Sequence, residues 1–165
     1  GRGSDGRGTG FGAEITMTEG LILVSACLSG RRCRYDGTAA CSREVKQLVE
    51  QGKAVPFCPE TAGGLSVPRL PAEIKGGSGG DVLEGKAKVI NLLGQDVSAA
   101  YVRGAEKGVE LARGLSIRRA ILKEKSPACG VQVIYDGSFK SCLVKGEGVM
   151  TAALKAIGVH VEGNR

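Results

Sequence analysis

An α/β fold, a single compact domain on a mainly parallel sheet flanked by helices, is what the 165-residue sequence predicts. Three observations carry that expectation. Short continuous apolar runs bounded by turn formers alternate with stretches whose apolar residues recur at helical spacing. This alternation is the mark of strands joined by helical crossovers, which cover both faces of a parallel sheet. The length suits one domain, and 42% hydrophobic residues suffice for one sizeable core. With no internal repeat in the chain, a Rossmann-like sheet follows.

Residues 1–16, "GRGSDGRGTGFGAEIT", are Gly-rich, lack periodicity and precede Met17, which opens the first apolar segment. They are read as an appended, disordered leader, with residues 17–165 as the single folded domain. "GLILVSACL" is then a buried strand, a continuous apolar run ending in small residues before Gly30. "TAACSREVKQLVEQGK" reads as a helix with Val45, Leu48 and Val49 on one face and Gly52 as its stop. "AVPFCPE" is a second short strand ending at Pro59, and a long Gly- and Pro-rich loop runs from Thr61 to Gly80. A loop of that length in a compact domain is usually functional. "KAKVINLLGQDVS" reads as a strand and turn leading to a helix capped near Asp96 or Ser98. That helix, "AAYVRGAEKGVELARG", is closed by Gly114. "IRRAILKEK" is the next strand, and "QVIYDGSFKSCLV" contains the turn pair Asp136-Gly137. "GVMTAALKAIG" forms a last helix and "VHVEG" a last short strand.

Ligands of parallel sheets bind beyond the carboxyl ends of strands, where the direction of winding reverses. Cys27, Cys58 and Cys129 each fall at or just past a strand end, so the three can converge on one crevice. The chain has six cysteines. A disulfide framework does not suit a chain with a full core and no secretion signal, and the expected location is the cytoplasm. Zinc usually takes paired C-x-x-C spacing, absent here, and His160 is the lone histidine. Cys41 on its helix and Cys142 in its strand read as buried structural thiols, and each of the other cysteines taken alone admits that reading too. Cys33, close to Cys27 in sequence, is open as a ligand or a redox partner. Three convergent thiolates also admit an iron–sulfur cluster, normally held by four cysteines, with one iron left without a protein ligand.

A net charge of +6 suits either a phosphate-bearing ligand or a solvated basic surface. With no tryptophan and 4% aromatics there is little material for the stacking platforms of single-strand binders, which disfavours a nucleic-acid module. No apolar run is long enough to cross a bilayer as a helix.

Six ordered motifs, "SACLSGRRCRYDG", "VPFCPETAGGLSVPRLPAEI", "GQDVSAAYVRGAEKGVELARG", "AILKEKSPACG", "IYDGSF" and "GEGVMTAAL…GVHV", together resemble the thiouracil desulfidase family from about residue 21 to 162. The resemblance implies a bacterial, cytoplasmic enzyme that removes sulfur hydrolytically from a small thiolated pyrimidine base or nucleotide. It implies a [4Fe-4S] cluster held by Cys27, Cys58 and Cys129, with one iron not ligated by cysteine. Carried over by motif, Glu60 is the acid/base group and Ser126 the substrate-orienting hydroxyl. Without the resemblance, Glu60 reads first as a cap of the following loop and Ser126 as a turn former. Arg34, Tyr35 and Asp36 of "RYDG" are candidate substrate contacts, as is Arg69. Arg69 and Glu73 can alternatively pair with each other to hold the long loop. Two departures stand out: the family's S-P-S-C-G has Ala128 at its third position here, and A-C-L-L-G has Ser29 at its fourth. Neither touches a ligand position. A different reading, of a thiol redox or sulfur-carrier protein, rests on Cys27 and Cys33.

Overall fold

The computed structural model describes residues 20–164, so the leader expected at residues 1–16 lies outside the described residues. Its centre is a four-stranded, all-parallel sheet of β1 (Ile22–Ser25), β2 (Ala54–Phe57), β5 (Arg119–Lys123) and β8 (His160–Asn164) in the order β2-β1-β5-β8. β1 lies between two partners, which is why its run ILVS is apolar on both faces. Pro56 is tolerated in β2 because that strand pairs only with β1, leaving the missing N–H on the open edge.

Alternate residues of the strands face two separate cores. Leu23, Ala120 and Leu122 pack against the long helix α4 (Ser98–Gly114) and α5 (Val149–Ala156), along with Ala105, Ala112, Met150 and Leu154. Val24, Ile22 and Ile121 face the other way, toward Val45 and Leu48 of α1 (Arg43–Glu50). The sheet is therefore covered on both faces, and the Rossmann-like expectation holds. From β1 the chain passes through α1 to β2 on one side, then returns through α4 to β5 on the other. Winding direction reverses between β1 and β5.

The excursion between β2 and α4 is more structured than its composition suggests. A single helical turn, α2 (Pro59–Ala62), follows β2 directly. The expected loop from residue 61 to 80 contains β3 (Ala72–Lys75) and the start of α3 (Gly79–Leu83). β3 pairs antiparallel with β4 (Lys88–Asn91), in a two-stranded sheet apart from the central one. The pairing buries Ile74 and Val89, a tertiary gain that outweighs the flanking Pro71 and Gly76. The Asp136-Gly137 pair opens the loop of an antiparallel hairpin, β6 (Val133–Tyr135) with β7 (Leu143–Lys145).

Helix ends follow their capping chemistry. α1 starts at Ser42, whose Oγ accepts the Val45 N–H, so it is shorter than the segment 38–53. Asp96 accepts the Ser98 N–H at 2.9 Å as α4 begins. No helix among the described residues is long and apolar enough to cross a membrane.

Candidate functional site

A cavity of about 410 Å³ opens beyond the carboxyl ends of β1, β2 and β5, at the reversal point. The topology brings the chemistry there. Cys27 lies in the 3-10 turn (Ala26–Ser29) that follows β1, Cys58 between β2 and α2, and Cys129 in the turn after β5. All three line the cavity and are buried, and they are free thiols. Among the described residues no three Cys, His or carboxylate groups are close enough to hold a single metal ion.

A fourth cysteine also reaches the cavity. Cys33 is buried and hydrogen-bonds Cys58, whose sulfur lies 3.9 Å from the Cys33 carbonyl oxygen. Cys41 and Cys142, expected as buried structural thiols, are both exposed. Cys41 precedes α1 instead of lying within it, and Cys142 likewise precedes β7, a short, wholly exposed hairpin arm.

The thiols are electrostatically unequal. The Cys33 thiol, followed by hydrogen bonds from Thr61 and the peptide of Glu60, holds Cys58 below the ordinary thiol range. Burial, then the charge of Cys58, pushes Cys27 up, with Arg34 and Lys123 opposing. Burial likewise raises Cys129 well above its ordinary value, against a hydrogen bond from Ser25. Ionising all three together therefore needs positive charge inside the cavity.

Glu60, on α2, is the carboxylate of the cavity wall. Arg69 grips its Oε1 with Nη2 at 2.7 Å and Nε at 2.8 Å. The guanidinium also donates to the Cys33 carbonyl at 2.8 Å and the Ser66 carbonyl at 3.0 Å, so it is committed to protein acceptors. Burial raises the Glu60 carboxyl above its usual range, while Arg69 and a hydrogen bond with Tyr101 pull the other way. Glu73 does not pair with Arg69. It is buried, and its Oε1 accepts the N–H groups of Gly137 at 2.9 Å and Phe139 at 3.1 Å, tying the hairpin loop to β3.

Ser126 lines the cavity, and its Oγ accepts the N–H groups of Ala128 and Cys129, both at 3.0 Å. It is both turn former and cavity wall. Its acceptor capacity is spent on the loop that presents Cys129, which leaves its hydrogen to donate. Arg34 and Tyr35 line the cavity mouth. Asp36 is exposed and does not line it; its carboxylate takes the Thr38 N–H at 3.0 Å and shapes the "RYDG" turn.

Sequence reasoning missed several supporting groups. Ser25 accepts the Lys123 N–H at 2.9 Å, joining the ends of β1 and β5, and hydrogen-bonds Cys129. Glu124, 2% exposed, hooks the loop after Cys129 by accepting the N–H groups of Val131 and Gln132 at 2.8 and 3.0 Å. Lys123 and Lys125 add cations to the wall, and burial lowers the Lys123 ammonium. Tyr101 lies within α4 at helical core spacing, where nothing local distinguishes it from a packing residue.

A family model described as 2-thiouracil desulfurase matches residues 22–164. YbbK of Bacillus subtilis (strain 168), described as an uncharacterized protein, is 48% identical over 141 residues, 86% of this chain and 93% of that protein. A solved structure described as a [4Fe-4S]-dependent thiouracil desulfidase, TudS, matches with a TM-score of 0.78 and 41% identity, covering 88% of this chain and 91% of that one.

Proposed function

Because the chain belongs to the 2-thiouracil desulfurase family, we propose that it is a [4Fe-4S]-dependent enzyme that removes sulfur from a small thiolated pyrimidine. Its substrates on this reading are a base or nucleotide such as 2- or 4-thiouracil or 4-thiouridine monophosphate. The reaction is hydrolytic: water supplies the oxygen of the product carbonyl, sulfur leaves as hydrogen sulfide, and no electrons are exchanged. The observation that carries the reading is the convergence of Cys27, Cys58 and Cys129 on one cavity beside Glu60.

The residues present fit such a cluster. Thiolates are its natural ligands, and the three thiols line one cavity. The raised Cys27 and Cys129 need a cationic partner to ionise, which bound iron provides. Cys33 also lines the cavity, in contact with Cys58, and on this reading it is not a ligand. When bound, the cluster supplies a Lewis-acidic iron without a cysteine ligand, suited to polarising a thiocarbonyl.

The chain's own residues do the rest. Glu60, raised by burial and oriented by Arg69, takes the proton of the attacking water. Arg69 holds Glu60 and, lining the cavity itself, remains a candidate substrate contact. Ser126 donates to a ring nitrogen or carbonyl oxygen, and Arg34 at the mouth offers charge to a phosphate. A thiol-redox or sulfur-carrier reading rests on Cys27 and Cys33, which line the same cavity, and needs no iron. The test is anaerobic turnover of 4-thiouracil in isotopically labelled water without an electron donor. Label in uracil with matching sulfide release supports hydrolysis; a requirement for reductant, or for Cys33 without iron, overturns it.

A further inference from the structure

Among the described residues every Phe and Tyr side chain, Tyr35, Phe57, Tyr101, Tyr135 and Phe139, lines this cavity. In a chain with no tryptophan, that concentration points to a flat, π-faced ligand. Most of these rings have other duties or places. Tyr101 serves Glu60, Phe57 reaches toward Gly108 of α4, and Tyr35 stands at the exposed rim. Phe139 has no such duty, and it alone of the five has a backbone in the left-handed region.

Phe139 is half-buried in the loop between β6 and β7, with a backbone φ of 59°. That left-handed region suits glycine or asparagine and disfavours a residue with a bulky side chain. The loop is held there by the buried Glu73 carboxylate, which accepts the N–H groups of Gly137 and Phe139. Gly137, at φ 94°, lies so close to β3 that a Cβ on it would come within 2.8 Å of the Ile74 carbonyl oxygen. A loop needing only to turn has no use for an aromatic ring at a strained position. We infer that Phe139 is a specificity-determining residue, whose ring is the platform on which the pyrimidine base stacks, with Glu73 as its strut.

The inference rests on the desulfidase reading and names how that site selects a planar base. The test compares Phe139→Gly, Phe139→Ala and Phe139→Tyr in anaerobically reconstituted protein. It measures uracil affinity, KM for 4-thiouracil and the thermal unfolding midpoint. Loss of a base-stacking ring is expected to weaken uracil binding and raise KM about 5- to 150-fold in the Gly and Ala variants. Phe139→Tyr retains both, and Phe139→Gly unfolds no earlier than wild type, because glycine relieves the backbone. Unchanged affinity and KM in Phe139→Gly, with wild type active, overturns this inference alone. So does an early-unfolding Phe139→Gly with Phe139→Tyr equally impaired, since the ring then only packs the loop. Wild type that neither binds uracil nor consumes thiouracil overturns the desulfidase reading and this inference with it.

Discussion

Replacing Gly104 by alanine probes how the fold places Cys58 and Glu60. Gly104 lies on the face of α4 crossed by α2, where a Cβ would come within 2.7 Å of the Pro59 carbonyl carbon and closer still to its oxygen. Gly63, at the end of α2, makes the reciprocal approach, its absent Cβ falling 3.0 Å from the Ala100 carbonyl carbon and 3.2 Å from the Gly104 nitrogen. Ordinary carbon contacts need about 3.5–4.0 Å, so α2 must retreat by roughly 1 Å. Both obstructing groups are backbone and have no rotamer to change. Overpacking of this kind costs about 1–3 kcal/mol, set against the roughly 1 kcal/mol that Gly→Ala otherwise gains inside a helix. Because α2 carries Glu60 and follows Cys58, a 1 Å shift is also expected to lower turnover on the order of 100-fold. Gly114, at the other end of the same helix, has nothing within 4 Å of where a Cβ would sit and is the control. Denaturant unfolding of the metal-free proteins and turnover of the reconstituted ones provide the readouts. Gly114→Ala should be neutral or stabilising, and Gly104→Ala destabilised and slow. A Gly104→Ala protein as stable and active as Gly114→Ala refutes the reasoning.

Serine at Cys27, Cys58 or Cys129 should each lower bound iron and abolish turnover, whereas Cys33→Ser should keep about four irons per chain; iron and sulfide analysis separates these outcomes. Glu60→Gln should retain the cluster yet lose about 10²- to 10⁴-fold in kcat, the usual worth of a general base, and a fully active variant contradicts its role. In the metal-free protein Cys58 should alkylate before Cys27 and Cys129. Its thiolate is populated between its depressed value and the ordinary thiol range, while theirs is suppressed by burial. Cys33→Ala should slow that labelling, as mapped by peptide mass spectrometry, and equal rates at all three thiols refute the electrostatic argument.

The parallel sheet was legible because its strands are short, apolar and punctuated by turn formers. The same punctuation showed Cys27, Cys58 and Cys129 at strand ends. β3 was not legible, since an alternation only four residues long between Pro71 and Gly76 is too short to mark a strand without its partner β4. Cys41 and Cys142 were misjudged because apolar neighbours in sequence do not guarantee burial on a short helix lead-in or an exposed hairpin arm. The Cys33–Cys58 contact joins residues 25 apart, and Glu73 reaches Gly137 across 64 positions; neither has a local signal. The aromatic content, read as too sparse for stacking platforms, is low over the chain but gathered in one place. Composition averages over position, and only the fold reveals that concentration.

The most direct test follows the thiocarbonyl absorbance of 4-thiouracil and 4-thiouridine monophosphate with protein reconstituted anaerobically with iron and sulfide, beside the same protein left metal-free. The account expects the absorbance to fall only with the reconstituted protein, with sulfide released in step. Equal turnover without iron, or an intact cluster that leaves both substrates untouched, contradicts it.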